Sequence, residues 1–408
     1  MRRSLWLVWT VSACASGDLS QPIDARTSSP VDGGTDSDGA DQGTGDAGWA
    51  RELIADDVMS DSGFAFGPEQ GGFAYVAYTD YELIYEMDLW YAASGASPWP
   101  RQLLSPDVGY LAVPALALGQ DAVHVVFRED VTVKYAIRSG DGPWFITDVV
   151  CSGLESLRLH LPAIVVRNSD DVVVLARGWD ADDHSSLWVA RPAGKLKNAW
   201  VCQQVTAATP GWGGPRAAVG ADGEVHVADV GDGDLLHAWE HDGVWDVEVV
   251  ADGSPNFEPG HMLWAVGIAA APEAVFVSYQ ELWTEENRGA GVVARKTAEG
   301  WTRCEVDSND TGSLNGAPKL AVDASGGVHA AYVHIASLSE PYDYQLFYGT
   351  YAAGEWRFQR PSAEGALISG GPLSLAFDGM NRPHLAVFWE PEGGSAGGAT
   401  LWHVWQRP

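Results

Sequence analysis

Short apolar stretches recur along the chain from about Trp49 to the C-terminus, and each is bounded by Gly, Asp, Asn or Pro. Within a stretch, apolar positions largely alternate with polar or small ones, as in Val328-His329-Ala330-Ala331-Tyr332. A period of two between turn residues predicts β-strands, each about four to eight residues long. The pattern therefore predicts an all-β protein built from many short strands.

These strands form a repeat of four, here called strands a to d. Each unit has an apolar strand a ending in Asp or a Gly turn, a strand b of the type V-H-V-A-Y, a strand c of the type L-x-Y-A, and a strand d that begins with tryptophan. The six tryptophans that begin strand d are 45 to 56 residues apart: Trp99, Trp144, Trp200, Trp245, Trp301 and Trp356. Four short strands in a unit of this length are typical of a β-propeller blade.

The last unit lacks a strand d, and the N-terminal end of the repeat supplies one. Strands a to c occur at Leu373–Phe377, Pro383–Phe388 and Leu401–Trp405, while Gly48-Trp49 repeats the Gly-Trp start of strand d. We therefore predict a seven-bladed β-propeller over residues 49–408 with four antiparallel strands per blade. Its last blade is closed by an N-terminal strand at about Trp49–Asp57, which removes open sheet edges.

One position in strand b raises the question of chemistry because it is often histidine. The seven equivalent residues are Tyr75, His124, Val173, His226, Phe276, His329 and His384. Since valine and phenylalanine occupy the same position, we predict a packing site whose imidazole donates to a backbone carbonyl, not a metal ligand or a general base. The strand d tryptophans should likewise fill the space between blades.

The N-terminus has the features of an export signal. Two arginines precede an apolar run that is too short to cross a bilayer as a helix, and the run ends at Val11-Ser12-Ala13-Cys14. This ending resembles the lipobox of bacterial lipoproteins, which implies a signal peptide at residues 1–13, lipidation of Cys14 and a location in the cell envelope, at the outer membrane. An ordinary signal peptide cut nearby is the alternative. Residues 14–48 are rich in Asp, Gly and Ser and predict a disordered tether.

Charge limits the choice of partner. The chain has 55 acidic and 24 basic residues, a formal net charge of −31. A strong negative field disfavours nucleic acid and anionic headgroups, so we expect membrane contact only through the lipid anchor. Cations, basic proteins and neutral glycans remain as partners, and we expect a glycan or protein ligand and a monomer.

Function should lie where the repeat units differ, in the b–c loops and d–a connections at one end of the propeller. These segments combine aromatic residues with acids, an arrangement that suits sugar binding because rings stack on a pyranose and carboxylates accept its hydroxyls. The alternative is that the rings only attach solvated loops to the rim. The candidate ligand-binding residues are Trp179, Asp180, Asp183, His184, Trp283, Glu286, Tyr342, Tyr344, Trp389 and Glu390.

Other chemistry has little support in the sequence. We expect no cofactor, no metal site and no assignable catalytic residue, and we interpret Gly231–Asp234 as a tight b–c turn. Cys151 and Cys202 come from neighbouring blades and are the best candidates for a disulfide.

The repeat resembles the BNR-like propellers of the sialidase superfamily from about Trp49 onward. The Asp boxes, the R-I-P-type motif and the arginine triad of sialidases are missing from the sequence. The segment nearest to an Asp box, Val322–Gly326, is a plain turn. The resemblance therefore implies the fold alone. We predict non-catalytic binding of a glycan or protein; the alternatives are a glycosidase or lyase on the same fold and a structural envelope protein.

Overall fold

The structure is a computed structural model that describes most of the repeat region. It covers residues 48–58, 65–68, 74–83, 86–94, 97–108, 113–151, 158–167, 171–179, 185–194, 199–206, 214–253, 261–283, 285–286, 288–309, 317–337, 343–361, 373–389 and 399–407. Those ranges contain 28 strands and no helix, and hence no helix suited to cross a membrane. The predicted all-β class is confirmed.

Strand bounds follow the predicted repeat closely. In chain order the strands are β1 (Trp49–Val58), β2 (Ala65–Pro68), β3 (Ala74–Leu83), β4 (Glu86–Ala93), β5 (Arg101–Ser105), β6 (Ala115–Leu118), β7 (Ala122–Glu129), β8 (Thr132–Ser139), β9 (Phe145–Asp148), β10 (Arg158–Val166), β11 (Val172–Trp179), β12 (Ser185–Pro192), β13 (Trp200–Gln204), β14 (Arg216–Val219), β15 (Val225–Gly231), β16 (Asp234–His241), β17 (Val244–Ala251), β18 (His261–Ala271), β19 (Ala274–Trp283), β20 (Arg288–Thr297), β21 (Gly300–Asn309), β22 (Lys319–Val322), β23 (Val328–Ser337), β24 (Asp343–Ala352), β25 (Glu355–Gln359), β26 (Ser374–Phe377), β27 (Pro383–Trp389) and β28 (Ala399–Gln406).

The strands pair antiparallel and form six blades, so the predicted count of seven is wrong. Five blades are four-stranded sheets, β6–β9, β10–β13, β14–β17, β18–β21 and β22–β25. The sixth is an eight-stranded sheet that holds β26, β27, β28 and β1 together with β2–β5. These are the strands assigned to the last and first blades, and one residue pair, Val58 with Asp80, joins them. The merger rests on this one pair, which links β1 to β3.

The first strands of successive units contact one another in a closed ring. The contacts run from β2 to β6, β10, β14, β18, β22 and β26, and from β26 back to β2. We call the space that this ring encloses the central channel, as in other propellers. The b–c turns and d–a connections lie at one end of the channel, here called the variable end, and the a–b and c–d turns lie at the other.

The N-terminal strand closes the ring as predicted. Strand β1 pairs antiparallel with β28, from Trp49 opposite Gln406 to Val58 opposite Ala399. Ile54 and Val58 are almost fully buried in the core that β1 shares with β28. The open edge of β28 is thereby paired, which removes a site for aggregation.

Tryptophans of strand d fill the space between neighbouring units, which confirms their predicted packing role. Five of them contact an aromatic ring of strand c in the preceding unit edge to face, with centroids 5.1 to 5.3 Å apart. The pairs are Trp49 with Tyr348, Trp99 with His403, Trp144 with Tyr91, Trp200 with Tyr135, and Trp301 with His237. This geometry is favourable for aromatic pairs and fixes the spacing of the units.

Two smaller predictions are also confirmed. Cys151 and Cys202 form a disulfide that joins neighbouring blades. The b–c turn between Gly231 and Asp234 is a two-residue hairpin, with positive φ at Asp232 and Gly233. Positive φ at both central positions is the signature of a type I′ turn.

Candidate functional site

The strand b histidines belong to the scaffold. His124, His226 and His384 are buried. Each of these histidines, and His329, forms a hydrogen bond with a ring on strand c. That ring lies two residues along strand c from the residue directly opposite the histidine. The pairs are His124 with Tyr135 (2.7 Å), His226 with His237 (3.2 Å), His329 with Tyr348 (2.7 Å) and His384 with His403 (2.7 Å). The packing role is thus confirmed, but the expected backbone carbonyl partner is wrong. Strand c carries a polar ring wherever strand b carries histidine.

Acidic side chains complete these histidine pairs. His329 Nε2 lies 3.0 Å from Asp323, and His403 Nδ1 lies 2.9 Å from Glu52. Burial lowers the pKa of His384 to about 4, with a further contribution from the charge of His403. Burial likewise lowers the pKa of His226. These imidazoles are therefore neutral near pH 7 and hold the strands together without acid–base work.

One group of side chains could hold a cation. Ligand atoms of Asp222, Glu224 and His226 lie within 4.8 Å of one another beside an a–b turn. Glu224 accepts a hydrogen bond from His241 (2.5 Å), and Asp222 accepts one from the Glu224 backbone N–H (3.0 Å). Local hydrogen bonds thus account for this acidic turn.

Five of the ten predicted ligand-binding residues lie in the described ranges, at strand ends or turns of three different sheets and the merged sheet. Trp179 ends β11, Trp283 ends β19, Tyr344 lies at the start of β24, and Glu286 is exposed on the β19–β20 turn. Trp389 ends β27. The other predicted residues lie outside the described ranges: Asp180, Asp183, His184, Tyr342 and Glu390.

Trp283 is held by its own sheet. Its ring stacks on His261 at 5.4 Å, and the guanidinium of Arg288 lies 4.5 Å from the ring centroid. Both partners are its direct neighbours across the sheet, because Trp283 pairs with His261 on one side and Arg288 on the other. Arg288 in turn contacts Glu305 at 2.7 Å. This supports the alternative that the ring attaches a loop to the rim.

Acids on the strands near the variable end are ion-paired. The pairs are Asp229 with Arg177 (2.9 Å), Glu281 with Arg303 (2.6 Å), Glu305 with Arg288 (2.7 Å) and Asp307 with His334 (2.9 Å). A glycosidase requires two carboxyl groups that face one glycosidic bond. Because Asp229, Glu281 and Glu305 each contact an arginine, these three carboxylates are suited to joining strands and not to that reaction.

Two cations occupy the inner strands at a position where the other units have small residues. Arg216 begins β14 opposite Ala228, and Lys319 begins β22 opposite Ala331. The same position in other inner strands is Ala115, Ala163, Gly267 and Ser374. Strands a start toward the variable end, so the two side chains lie where the channel opens to that end.

These two cations have no acidic partner among the residues that the structure describes. The guanidinium of Arg216 donates to the neutral carbonyl of Pro215 at 3.0 Å. Burial lowers the pKa of Lys319 to about 7, and the positive charge of Arg216 contributes. Burial also lowers the pKa of Arg216. Both residues nevertheless keep part of their surface exposed.

The sequence contains a signal for this pair that motif analysis missed. Aligning the inner strands by their pairing with strand b places both cations at one repeat position. The alignment needs the register of short strands such as Arg216–Val219 and Lys319–Val322, and four residues fix a register poorly without a partner.

Comparisons with known proteins place the chain by fold only. No protein-family model matches it, and no curated protein matches it. Among solved structures it is similar to the BP39L lectin from Burkholderia pseudomallei, with 16% identity, a TM-score of 0.54, and coverage of 86% of this chain and 99% of that one. It is also similar to an ulvan lyase of polysaccharide lyase family PL25, with 10% identity, a TM-score of 0.53, and coverage of 86% and 94%. At such identities the likeness shows a β-propeller and nothing finer.

Proposed function

We propose that the protein binds a glycan at the variable end of the propeller, over the mouth of the central channel, without chemical conversion. The observation that carries this proposal is the pair Arg216 and Lys319, which departs from an otherwise small-residue ring at that mouth. Two buried like charges lower the free energy of unfolding, and alanine at the same position would not. Such a cost is typical of a binding site.

The choice of a glycan over a protein rests on two further points. Propellers of similar fold include a protein named as a lectin and another named as a polysaccharide lyase. Half-buried rings, Trp179 and Tyr344, also lie at the variable end. The ion-paired acids near that end favour binding over glycosidic hydrolysis.

The test combines a glycan array with calorimetric titration of each hit. Trp179→Ala and Tyr344→Ala should weaken binding roughly 5- to 100-fold if a ring stacks on the sugar. Val244→Ala is the matched control, because Val244 is exposed on a c–d turn at the opposite end. Equal loss in the control and the ring variants would contradict binding at the variable end.

A lyase is the second candidate, and one observation favours it. An amine with a pKa of about 7, as at Lys319, is a suitable general base at neutral pH. In a uronate unit Lys319 would take the proton from the carbon α to the carboxylate. A double bond would then form between this carbon and its neighbour in the ring, as the C–O bond from that neighbour to the next sugar breaks. Water would protonate the leaving oxygen. Incubation of each array hit with the protein, followed by absorbance of the unsaturated product, tests this reaction.

Anchoring at Cys14 lies outside the described residues and stays a prediction. If Cys14 carries lipid, Cys14→Ser should release the protein from membranes, because each buried CH₂ of an acyl chain contributes about 0.8 kcal/mol. Membrane fractionation measures the release. Equal membrane association of variant and parent would refute lipidation of Cys14.

A further inference from the structure

The inner ring of the propeller has a positive site in a strongly negative protein. The chain carries a net charge of −31. At the inner-strand position that Arg216 and Lys319 occupy, the other units whose pairing is given above have only uncharged residues. Arg216 and Lys319 come from β14 and β22, which are separated by β18 in the ring. They are close enough for the charge of Arg216 to affect Lys319.

The inner strands carry short, uncharged residues between and beside the two cations. Between the two cations the ring has Gly267, and beyond Lys319 it has Ser374. A Cβ at Gly267 would lie 2.5 Å from Ser278 Oγ and 2.9 Å from the Pro318 carbonyl oxygen, so close packing of the inner strands requires glycine there. The result is two long cationic side chains set among short neutral ones.

We propose that Arg216 and Lys319 together bind an oxyanion of the ligand, a carboxylate or sulfate group on an acidic glycan. This inference rests on the proposed glycan-binding function and names the class of glycan. A guanidinium offers paired N–H donors that match an oxyanion, and an ammonium adds a point charge. An anion between the two cations also relieves their mutual repulsion, so the site attracts the charge that the rest of the surface repels.

The proposal has a consequence for pH. In the free protein Lys319 loses its proton near pH 7, because burial and Arg216 disfavour the charged form. A bound anion favours the charged form and raises the pKa, so binding takes up a proton above pH 7. Affinity for an acidic glycan should therefore fall about tenfold or more between pH 6 and pH 8.5, while affinity for a neutral glycan stays constant.

The experiment compares three probes by calorimetry on the full chain: a glucose oligosaccharide, the same oligosaccharide with one glucuronate unit, and the same oligosaccharide with one sulfate ester. Lys319→Gln and Arg216→Gln should each weaken the charged probes roughly 10- to 100-fold and leave the neutral probe unchanged. Lys134→Gln is the matched control, because Lys134 is a surface lysine already paired with Glu129 and Asp148. Preference for glucuronate over sulfate, or the reverse, identifies the oxyanion.

The outcomes separate this inference from the proposed function. If the wild type binds neutral and charged oligosaccharides equally at every pH, the oxyanion site is refuted and glycan binding stands. If no oligosaccharide binds but free glucuronate or inorganic sulfate binds in a Lys319-dependent manner, glycan binding is refuted and the anion site stands. Retention of the charge preference in both glutamine variants would overturn the assignment to Arg216 and Lys319.

Discussion

Replacing Lys319 with alanine should stabilise the protein at acidic and neutral pH. Alanine occupies the equivalent position in another inner strand, as Ala115, so it fits the backbone there. The pKa of Lys319 is about 7 in the folded protein against an ordinary value of 10.5. A difference of about 3.5 pH units corresponds to at most about 5 kcal/mol of destabilisation by the charged lysine. Because part of the side chain reaches water, we expect a gain of about 2 kcal/mol.

The sign of the pH dependence follows from proton binding. The unfolded chain holds the Lys319 proton up to pH 10.5, whereas the folded protein releases it near pH 7. Wild-type stability should therefore rise between pH 7 and pH 10.5, and this rise should be smaller in the alanine variant. The gain from the substitution is thus largest at pH 6 and vanishes at high pH.

Urea denaturation at pH 6, 7.5 and 9 measures this effect. The control is Lys134→Ala. Lys134 donates a hydrogen bond to Asp148, which is the main cause of its raised pKa, and removal of the Lys134 side chain should cost less than about 1 kcal/mol. If Lys319→Ala destabilises the protein equally at all three pH values, Lys319 is a packing residue and the electrostatic reasoning is refuted.

Three further predictions test the scaffold. A truncation that removes residues 1–47 should leave the melting temperature unchanged. Removal of residues 1–58 also deletes the closing strand and should lower the free energy of unfolding by roughly 5 kcal/mol. Thermal melts of both truncated chains measure the difference. Arg177→Met leaves Asp229 buried without its cation and should cost about 3 kcal/mol at pH 7. Burial already raises the pKa of Asp229, so the loss should be smaller at pH 5 than at pH 7; equal losses in denaturation at both pH values would contradict this. His329→Phe should cost about 1–2 kcal/mol and leave glycan titrations unchanged, and loss of binding with an unchanged melt would instead make the histidine a ligand group.

Repetition made most of the fold predictable from the sequence. Seven versions of one unit reveal which positions accept only packing residues, as when Phe276 replaces His329. The same comparison located strand d, including Trp49 at the closing edge. The number of blades was not predictable in this way, because aligning the units does not reveal the single pairing of Val58 in β1 with Asp80 in β3.

Candidate site residues were harder to predict for a physical reason. Residue type alone cannot tell an exposed ring from one covered by its neighbours, and Trp283 is covered by His261 and Arg288. The cations Arg216 and Lys319 belong to no motif. They become visible only when strand pairing shows that two charged residues share a position with alanine, glycine and serine.

Lys319 also gives opposite expectations for binding and for catalysis, which allows one pH series to decide between them. A clamp for an oxyanion needs the charged amine, so its affinity is greatest below pH 7. A general base needs the neutral amine, so the rate of a lyase would rise as the pH passes 7. Both arguments use the same pKa of about 7, so the affinity and the rate change in opposite directions over the same pH range. Affinity that falls with pH and no unsaturated product at pH 8.5 would support a binding protein. A product that accumulates fastest at pH 8.5 and is lost in Lys319→Gln would show that the channel mouth performs elimination on an acidic glycan.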